Sequence, residues 1–590
     1  MTSPERQQDP YAARPWLASY PPGVPADIDP DACSTAVGVF RRSAAEYAER
    51  PAMESFGARL SYREFEQAAD RVAAWLQTQG LQKGDRVAIM SPNVLAYPVI
   101  LFGVLIAGGV VVNVNPLYTP GELEHQLNDA GARFLFVFEN FAHTAERAWP
   151  RMKIERAIIV TAGDLMGVKG LVVNFVARHV KKMVPAYSLP GALPFAQVLK
   201  TPAEKRSPVE VAPDDVAFLQ YTGGTTGVAK GAVLLHRNIA ANVAQSWAWL
   251  EWYLEPRGPH VMVTALPLYH IFALTACCIL LIRTGGCCLL IANPRDLDGL
   301  VATMRKSRFT LFSGVNTLYS ALADHRDIGK VDFSPLVMNI SGGMATQEVV
   351  AQKWKALTGK PIIEGYGLSE TSPIVTVNRP DITEFTGGIG YPQPSTEISI
   401  RSTDDAIAPL GERGELWVRG PQVMPGYWRR PDETAKAMTP DGYFKTGDIA
   451  IMEPDGMLKI VDRLKDMILV SGFNVYPNEV EAALIEHPKV KEVAVIGVPF
   501  AHSGEAPMAF VVPRDKSLTT EELRRFAHER LTGYKAPRFY EFRDSLPKTN
   551  VGKILRRALK EEFDARNDPH NDEGRGRSVK TEIQRAREAN

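Results

Sequence analysis

The sequence predicts an α/β protein: a large body built on parallel sheets covered on both faces, then a small antiparallel sheet or barrel, then a further small domain. Three observations predict it. From about Pro30 to Ile398, apolar strands alternate with helical segments, the texture of parallel strands joined by crossovers. Past Ile398, GELWVRG, GYFKTGD and GMLKIVDR read as short strands joined by Gly-Asp and Pro-Asp turns. At 590 residues the chain is also far too long for one hydrophobic core.

The elements follow in order. Residues 1–30, rich in Pro, Asp and Arg, read as an irregular arm. Arg71–Gln79 is amphipathic, Asp85–Met90 (DRVAIM) is an apolar strand, and Val104–Val114 and Ala132–Phe138 continue the pattern. Leu95–Val114 approaches the length of a membrane span. Pro98, Gly103 and Gly108-Gly109 interrupt it, and a buried helix followed by the buried strand VVVNV is the better reading. This body is assigned residues 31–461, with a connection at Asp462–Asp466. Beyond it a βαβ-like unit is expected over residues 467–562: a helix at Asn478–Glu486, strands at Val490–Val498 and Met508–Val512, and a helix at Thr520–Leu531. Residues 563–590, charged and nearly without apolar content, read as a disordered tail.

Composition excludes several classes. With 67 basic and 67 acidic residues the formal charge is zero, so no chain-wide nucleic-acid footprint is expected. Four of the five cysteines form the pairs Cys277-Cys278 and Cys287-Cys288 inside an apolar run. That spacing suits small buried hydrophobes in a reducing compartment and not a zinc site. The N-terminal residues carry no apolar signal core, so a cytoplasmic protein is expected.

The strongest chemical signal is Tyr221–Gly231 (YTGGTTGVAKG), set after the apolar strand VAFLQY and before a helix read at HRNIAANVAQ. Glycines allow close backbone approach to an anion, hydroxyls and amides donate to phosphate oxygens, and Lys230 adds a point charge. Its spacing is not that of a Walker A loop. In EGYGLSET (Glu364–Thr371), Tyr366 offers a face for a base, Glu370 a carboxylate for Mg²⁺ and Thr371 a hydroxyl for a phosphate. Ser341-Gly-Gly-Met344 could admit a flat ring against the backbone. Tyr443–Asp448 (YFKTGD) supplies a carboxylate after a tight turn; taken alone, a plain hairpin reads equally well.

These motifs, in this order and spacing, resemble the adenylate-forming superfamily of acyl-CoA synthetases, luciferases and peptide-synthetase adenylation domains, from about Trp16 to Lys560. VNVNPLYTPGELEHQLND, PLYHIFAL, KDMILVSGFNVYPNEVE and LPKTNVGKILRR are similar to its bacterial long-chain fatty-acid–CoA ligases. The resemblance implies two parallel-rich sheets and a barrel-like subdomain in the large body, with a small mobile α+β C-terminal domain. It implies ATP, Mg²⁺ and coenzyme A. A fatty acid is adenylated with release of pyrophosphate, the C-terminal domain swings, and the coenzyme A thiol takes the acyl group. It places Thr222, Gly223, Gly224, Thr225, Thr226, Gly227 and Lys230 on the β- and γ-phosphates. Tyr366 and Gly367 lie at adenine beside Gly342 and Gly343, Thr371 at the α-phosphate, Glu370 on Mg²⁺, and Asp448 and Arg463 on the ribose. Lys553 becomes the adenylation lysine, Lys465 the hinge, Gly472 and Phe473 the approach to pantetheine, and His270 the entrance of the acyl pocket. A homodimer is compatible with the resemblance.

The chain departs from the family at Ala229, where many relatives have proline, and at Lys445 and Leu464, where many fatty acyl relatives have His and Lys. An amino-acid adenylation domain would need an acidic residue near PLYHIF, and none is there. Medium-chain or aryl acid–CoA ligase and fatty acyl-AMP ligase stay open as alternatives. A catalytically idle binding relative would not keep Lys230, Glu370, Asp448, Arg463 and Lys553. Val168–Val184 (VKGLVVNFVARHVKKMV) is basic and amphipathic. It reads either as peripheral contact with the inner membrane face or as an ordinary surface helix.

Overall fold

The computed structural model describes residues 9–29, 34–222, 229–402, 404–500, 502–549 and 552–567. By compactness the chain divides into two units. The second comprises Arg413–Glu415, Gly447–Ile451 and the chain from Ile460 onward; the first holds the rest.

In the first unit a nine-stranded sheet runs in the order Tyr391–Pro392, Ile374–Val377, Ile362–Gly367, Met338–Ser341, Leu311–Gly314, Val261–Thr264, Cys287–Leu290, Pro51–Ser55, Ala58–Ser61. Its interior pairs are parallel, and antiparallel pairs close both ends. An eight-stranded sheet runs Gly426–Tyr427, Lys230–Leu235, Val216–Thr222, Val110–Asn113, Arg86–Met90, Ala132–Phe138, Arg156–Val160, Leu193–Pro194. It is parallel from Val216–Thr222 onward. Each sheet packs its apolar residues against helices: Leu123, Leu127 and Ala145 cover one, and Leu300, Leu322 and Trp354 the other. The sequence reading of two parallel-rich sheets therefore holds. Past Ile398, short strands follow at Glu397–Arg401, Gly414–Arg419, Phe444–Met452 and Leu458–Arg463.

Local signals explain several boundaries. Helix Tyr62–Thr78 opens on a capping box in which the Ser61 and Glu64 side chains each bond the other's backbone; Thr119 and Glu122 do the same for Pro120–Ala130. Leu95–Val114 resolves into the fully buried helix Ala96–Ile106 and the buried strand Val110–Asn113, as its interruptions imply. All four cysteines of the two pairs are buried. The N-terminal arm is irregular but tied down. Trp16 is fully buried, the Tyr11 hydroxyl donates to the Ala408 carbonyl at 2.9 Å, and that of Tyr20 to the Pro392 carbonyl at 2.6 Å.

In the second unit the order differs from the simple βαβ expected. Val490–Phe500 pairs antiparallel with Gly504–Pro513 over their full length. The parallel crossover comes one step later, where helix Thr520–Arg530 leads from Gly504–Pro513 to Phe539–Phe542. Alternation along the hairpin explains this. Val493, Val495, Ala509 and Val511 serve one core, and Ala494, Ile496, Met508 and Phe510 serve another on the opposite face. Arg556, in LPKTNVGKILRR, lies inside a polar network. It donates to Glu481 at 2.6 and 2.9 Å and lies within 3.4 Å of Asp462 and Asp466. Helix Arg556–Asn567 also runs past residue 563, where a disordered tail was expected, because Phe563 is buried.

Candidate active site

Strand Lys230–Leu235 adds an element to the Gly-Thr loop that the sequence reading did not name. The segment KGAVLL pairs antiparallel with Val216–Thr222, ending at Thr222↔Lys230, and the helix begins at His236, where HRNIAANVAQ was read. Apolar residues on both runs, Ala217, Phe218 and Leu219 on one and Ala232, Leu234 and Leu235 on the other, are buried, which suits paired strands. Thr222 and Lys230 therefore face each other across the mouth of the loop; Gly223, Gly224, Thr225, Thr226 and Gly227 lie outside the described residues.

Gly342 and Gly343 leave the carboxyl end of Met338–Ser341, and Tyr366 and Gly367 end the neighbouring parallel strand Ile362–Gly367. Carboxyl ends of parallel strands are where open α/β sheets hold ligands. Gly367 has to be glycine, since a Cβ there would lie 1.9 Å from the Pro373 carbonyl oxygen. Glu364 is buried and accepts from the Thr346 amide at 3.0 Å, and burial pushes its carboxyl up to about 7.

The turn Ser369–Thr371 carries Glu370 and Thr371, both buried. The Thr371 hydroxyl serves the backbone: it accepts from the Leu368 amide at 3.0 Å and lies against the Leu368 and Pro373 carbonyls. Glu370 Oε1 accepts from the Tyr427 hydroxyl at 2.8 Å. Burial, and then the Glu370 carboxylate, push the Tyr427 phenol well up, so it stays a donor. The Lys230 ammonium lies 5.5 Å from the centroid of the same ring and forms an ion pair with Glu433.

Sequence reading did not single out Tyr427, although a signal was present. In MPGYWRRPDET an aromatic pair between Gly and Pro precedes a helix with proline at its start and Asp432-Glu433 in the first turn. Gly426 and Tyr427 pair with Val233 and Ala232. Arg430 and Tyr221 both donate to Asp129 at 2.7 Å.

His270 lies before a π-helical turn, Ala273–Ile279, with its ring 4.7 Å from that of Tyr269. Burial pulls its imidazole down to about 4, leaving it neutral at physiological pH. Leu274, Ala276, Ile279 and Leu280 behind it are buried.

The second unit brings Asp448, Arg463 and Lys553 together. Asp448 lies within strand Phe444–Met452, not directly after the turn, which is closed earlier at Thr439–Gly442. It is buried and pairs with Arg463 Nε at 2.9 Å. Lys553 is lowered to about 8, first by burial and then by the Arg463 charge, with Asp448 opposing. Lys465 is exposed in the turn Leu464–Asp466. Ser471 and Gly472, both at positive φ, link Ile468–Val470 to Phe473–Val475 as a two-residue hairpin turn. Phe473 is exposed and stacks on Tyr534 at 4.9 Å.

The sequence pattern of the AMP-binding enzyme family matches residues 40–428, and that of the AMP-binding enzyme C-terminal domain matches residues 479–553. The chain belongs to the AMP-binding enzyme family. One relative, a protein of Yersinia pestis named long-chain-fatty-acid–CoA ligase, is 53% identical over 553 residues, covering 93% of this chain and 98% of its own. Among solved AMP-binding enzymes, an anthranilate CoA ligase in complex with anthranoyl-AMP matches with a TM-score of 0.79 at 25% identity, covering 90% of this chain and 97% of its own. ATP-bound MatB from Rhodopseudomonas palustris matches with a TM-score of 0.74 at 28% identity, covering 92% of this chain and 100% of its own.

Proposed function

We propose that this AMP-binding enzyme is a long-chain fatty-acid–CoA ligase. The observation that carries the proposal is the 53% identity to the Yersinia ligase across 98% of that protein. The site chemistry supports it. A carboxylate oxygen of the acid attacks the α-phosphorus of ATP, the bond to the β-phosphate oxygen breaks, and pyrophosphate leaves. The coenzyme A thiol, losing its proton, then attacks the acyl carbon, and AMP departs with the carboxylate oxygen that made the first bond.

Lys230 and the Gly-Thr loop hold the departing pyrophosphate, Tyr366 stacks on adenine beside Gly342-Gly343, and Asp448 and Arg463 hold the ribose. Glu370 offers hard carboxylate oxygen to Mg²⁺, with its Oε1 oriented by Tyr427. Among the described residues no group of three or more His, Cys, Asp or Glu could hold a metal. One carboxylate plus substrate phosphates is the arrangement such a cation favours. Bound there, Mg²⁺ would neutralise phosphate charge. Lys553 supplies a fixed cation where charge grows on the α-phosphoryl oxygens. Neutral His270 stands at the entrance of an apolar acyl site.

The membrane side of the proposal rests on Val168–Phe175 and the π-turn Val176–Val180 that continues it. This segment is pinned by its polar side. The Gly163 amide donates to Asn174 at 2.8 Å, Asn174 donates to Thr161 at 3.0 Å, and Arg178 donates to buried Glu139 at 2.7 Å. The apolar side points outward, with Val168, Leu171, Val172, Phe175, Val180 and Met183 between 46% and 81% exposed beside Lys169, Lys181 and Lys182. Exposed apolar residues rimmed by lysines suit an anionic lipid face. Among the described residues no helix is long and apolar enough to cross a membrane.

Three outcomes are expected. A thioester assay across acids of increasing length should show coenzyme-A-dependent product favouring long chains; pyrophosphate release with no thioester would instead indicate an acyl-AMP ligase. With Lys553 at about 8, long-chain-acid-dependent pyrophosphate release should hold steady near neutrality and fall as pH rises through that value, because the cation is lost. A rate that keeps climbing above it would contradict the role given to Lys553. On phosphatidylglycerol-rich vesicles, Lys181→Glu/Lys182→Glu and Leu171→Ser/Phe175→Ser should each reduce co-sedimentation, with the partition coefficient of the charge pair falling about thirtyfold or more. Unchanged sedimentation of both would remove the membrane proposal.

A further inference from the structure

Lys230 is already engaged in this structure. Its ammonium pairs with Glu433, and Glu433 in turn takes Lys436 at 2.8 Å on its other oxygen. Ion pairs between partly exposed side chains are common and usually weak. This one differs in how its carboxylate is delivered. Gly426-Tyr427 is paired to Val233 and Ala232, the Trp428 amide donates to the Gly231 carbonyl at 2.8 Å, and the chain then turns into helix Pro431–Ala437. The Thr434 hydroxyl fastens that turn, accepting from the Tyr427 amide at 2.9 Å and lying 3.0 Å from the Arg430 carbonyl. Glu433, in the first helical turn, is thereby returned to the lysine that borders the Gly-Thr loop.

We infer that Glu433 is the resident counter-ion of Lys230, which an incoming triphosphate must displace, so that this carboxylate limits how tightly ATP is held. The inference rests on the reading of Lys230 as a triphosphate contact. Three features support the exchange. Both side chains stand on fixed elements, a strand and a helix start, so they meet at little conformational cost. Lys436 remains on the carboxylate when Lys230 leaves, so Glu433 is not left alone. A triphosphate, with several charged oxygens, outbids one carboxylate for a single ammonium. Glu433 is a positioning residue here: it acts on the nucleotide only through Lys230.

The test is a double-mutant cycle on the full chain, read as the Kd of an ATP analogue with a methylene between its α- and β-phosphates. Glu433→Gln removes the competing charge while keeping the shape, and binding should tighten about two- to fivefold, the worth of a partly exposed pair. Glu433→Asp, which keeps the charge, should stay closer to the parent protein. In a Lys230→Ala background the effect of Glu433→Gln should vanish. Weaker or unchanged binding in Glu433→Gln, with Lys230→Ala still weakening it, overturns the counter-ion inference alone. Unchanged binding in Lys230→Ala overturns the reading of the loop lysine, and the inference with it. A role of Glu433 in stability alone would not tighten nucleotide binding.

Discussion

Backbone pairing of Gly426 and Tyr427 with Val233 and Ala232 is the constraint on which the first unit's site depends. Two residues of strand are a small contact, but they join segments almost two hundred positions apart in the chain. Because the register is fixed, the Tyr427 hydroxyl reaches Glu370 while its ring lies beside Lys230. The same short strand launches the helix that carries Glu433. Slipping the register by one residue would send Tyr427 to the opposite face and separate the carboxylate from the lysine. The partner of the Glu370 carboxylate and the partner of the loop cation are thus delivered by one backbone ladder.

The second unit solves a different electrostatic problem. Burying Lys553 beside Arg463 lowers its hold on a proton, and Asp448 limits that effect. The result is a lysine that is still charged near neutrality but incompletely compensated, which suits a cation awaiting a negative partner. Arg556 behaves oppositely: Glu481, Asp462 and Asp466 surround it and raise its affinity for the proton. Two basic residues three positions apart thus sit in opposite electrostatic surroundings, Arg556 among carboxylates and Lys553 beside a second cation.

Much of this was legible in the sequence. Alternating apolar strands and helices gave the parallel sheets, and Gly and Pro interruptions told a buried helix and strand from a membrane span at Leu95–Val114. The candidate residues came from motifs whose chemistry is local, such as Gly342-Gly343, Tyr366, Glu370 and Asp448. What could not be read depended on partners distant in the chain. KGAVLL is the exception: its partner strand is adjacent in the chain, but the run is short and was not read as a strand between the loop and the helix. The run MPGYWRRPDET signals a turn and a helix start, but the partners of Tyr427 and Glu433 appear only when Gly426 pairs with Val233. The setting of Arg556 was not legible because the three carboxylates that surround it are 75 to 94 residues away. The outward apolar face of Val168–Phe175 was visible as amphipathicity, but its direction was set by Asn174 and Arg178 reaching inward.

Attack at the α-phosphate is the claim that unites the loop, the Glu370 carboxylate and Lys553. It fixes the fate of one oxygen atom: the carboxylate oxygen that bonds to phosphorus must leave with AMP when the thioester forms. A long-chain acid carrying ¹⁸O in both carboxylate positions, turned over with ATP and coenzyme A, should yield AMP with one labelled oxygen and a thioester with the other. Unlabelled AMP, or label recovered in orthophosphate alongside ADP, would contradict the account.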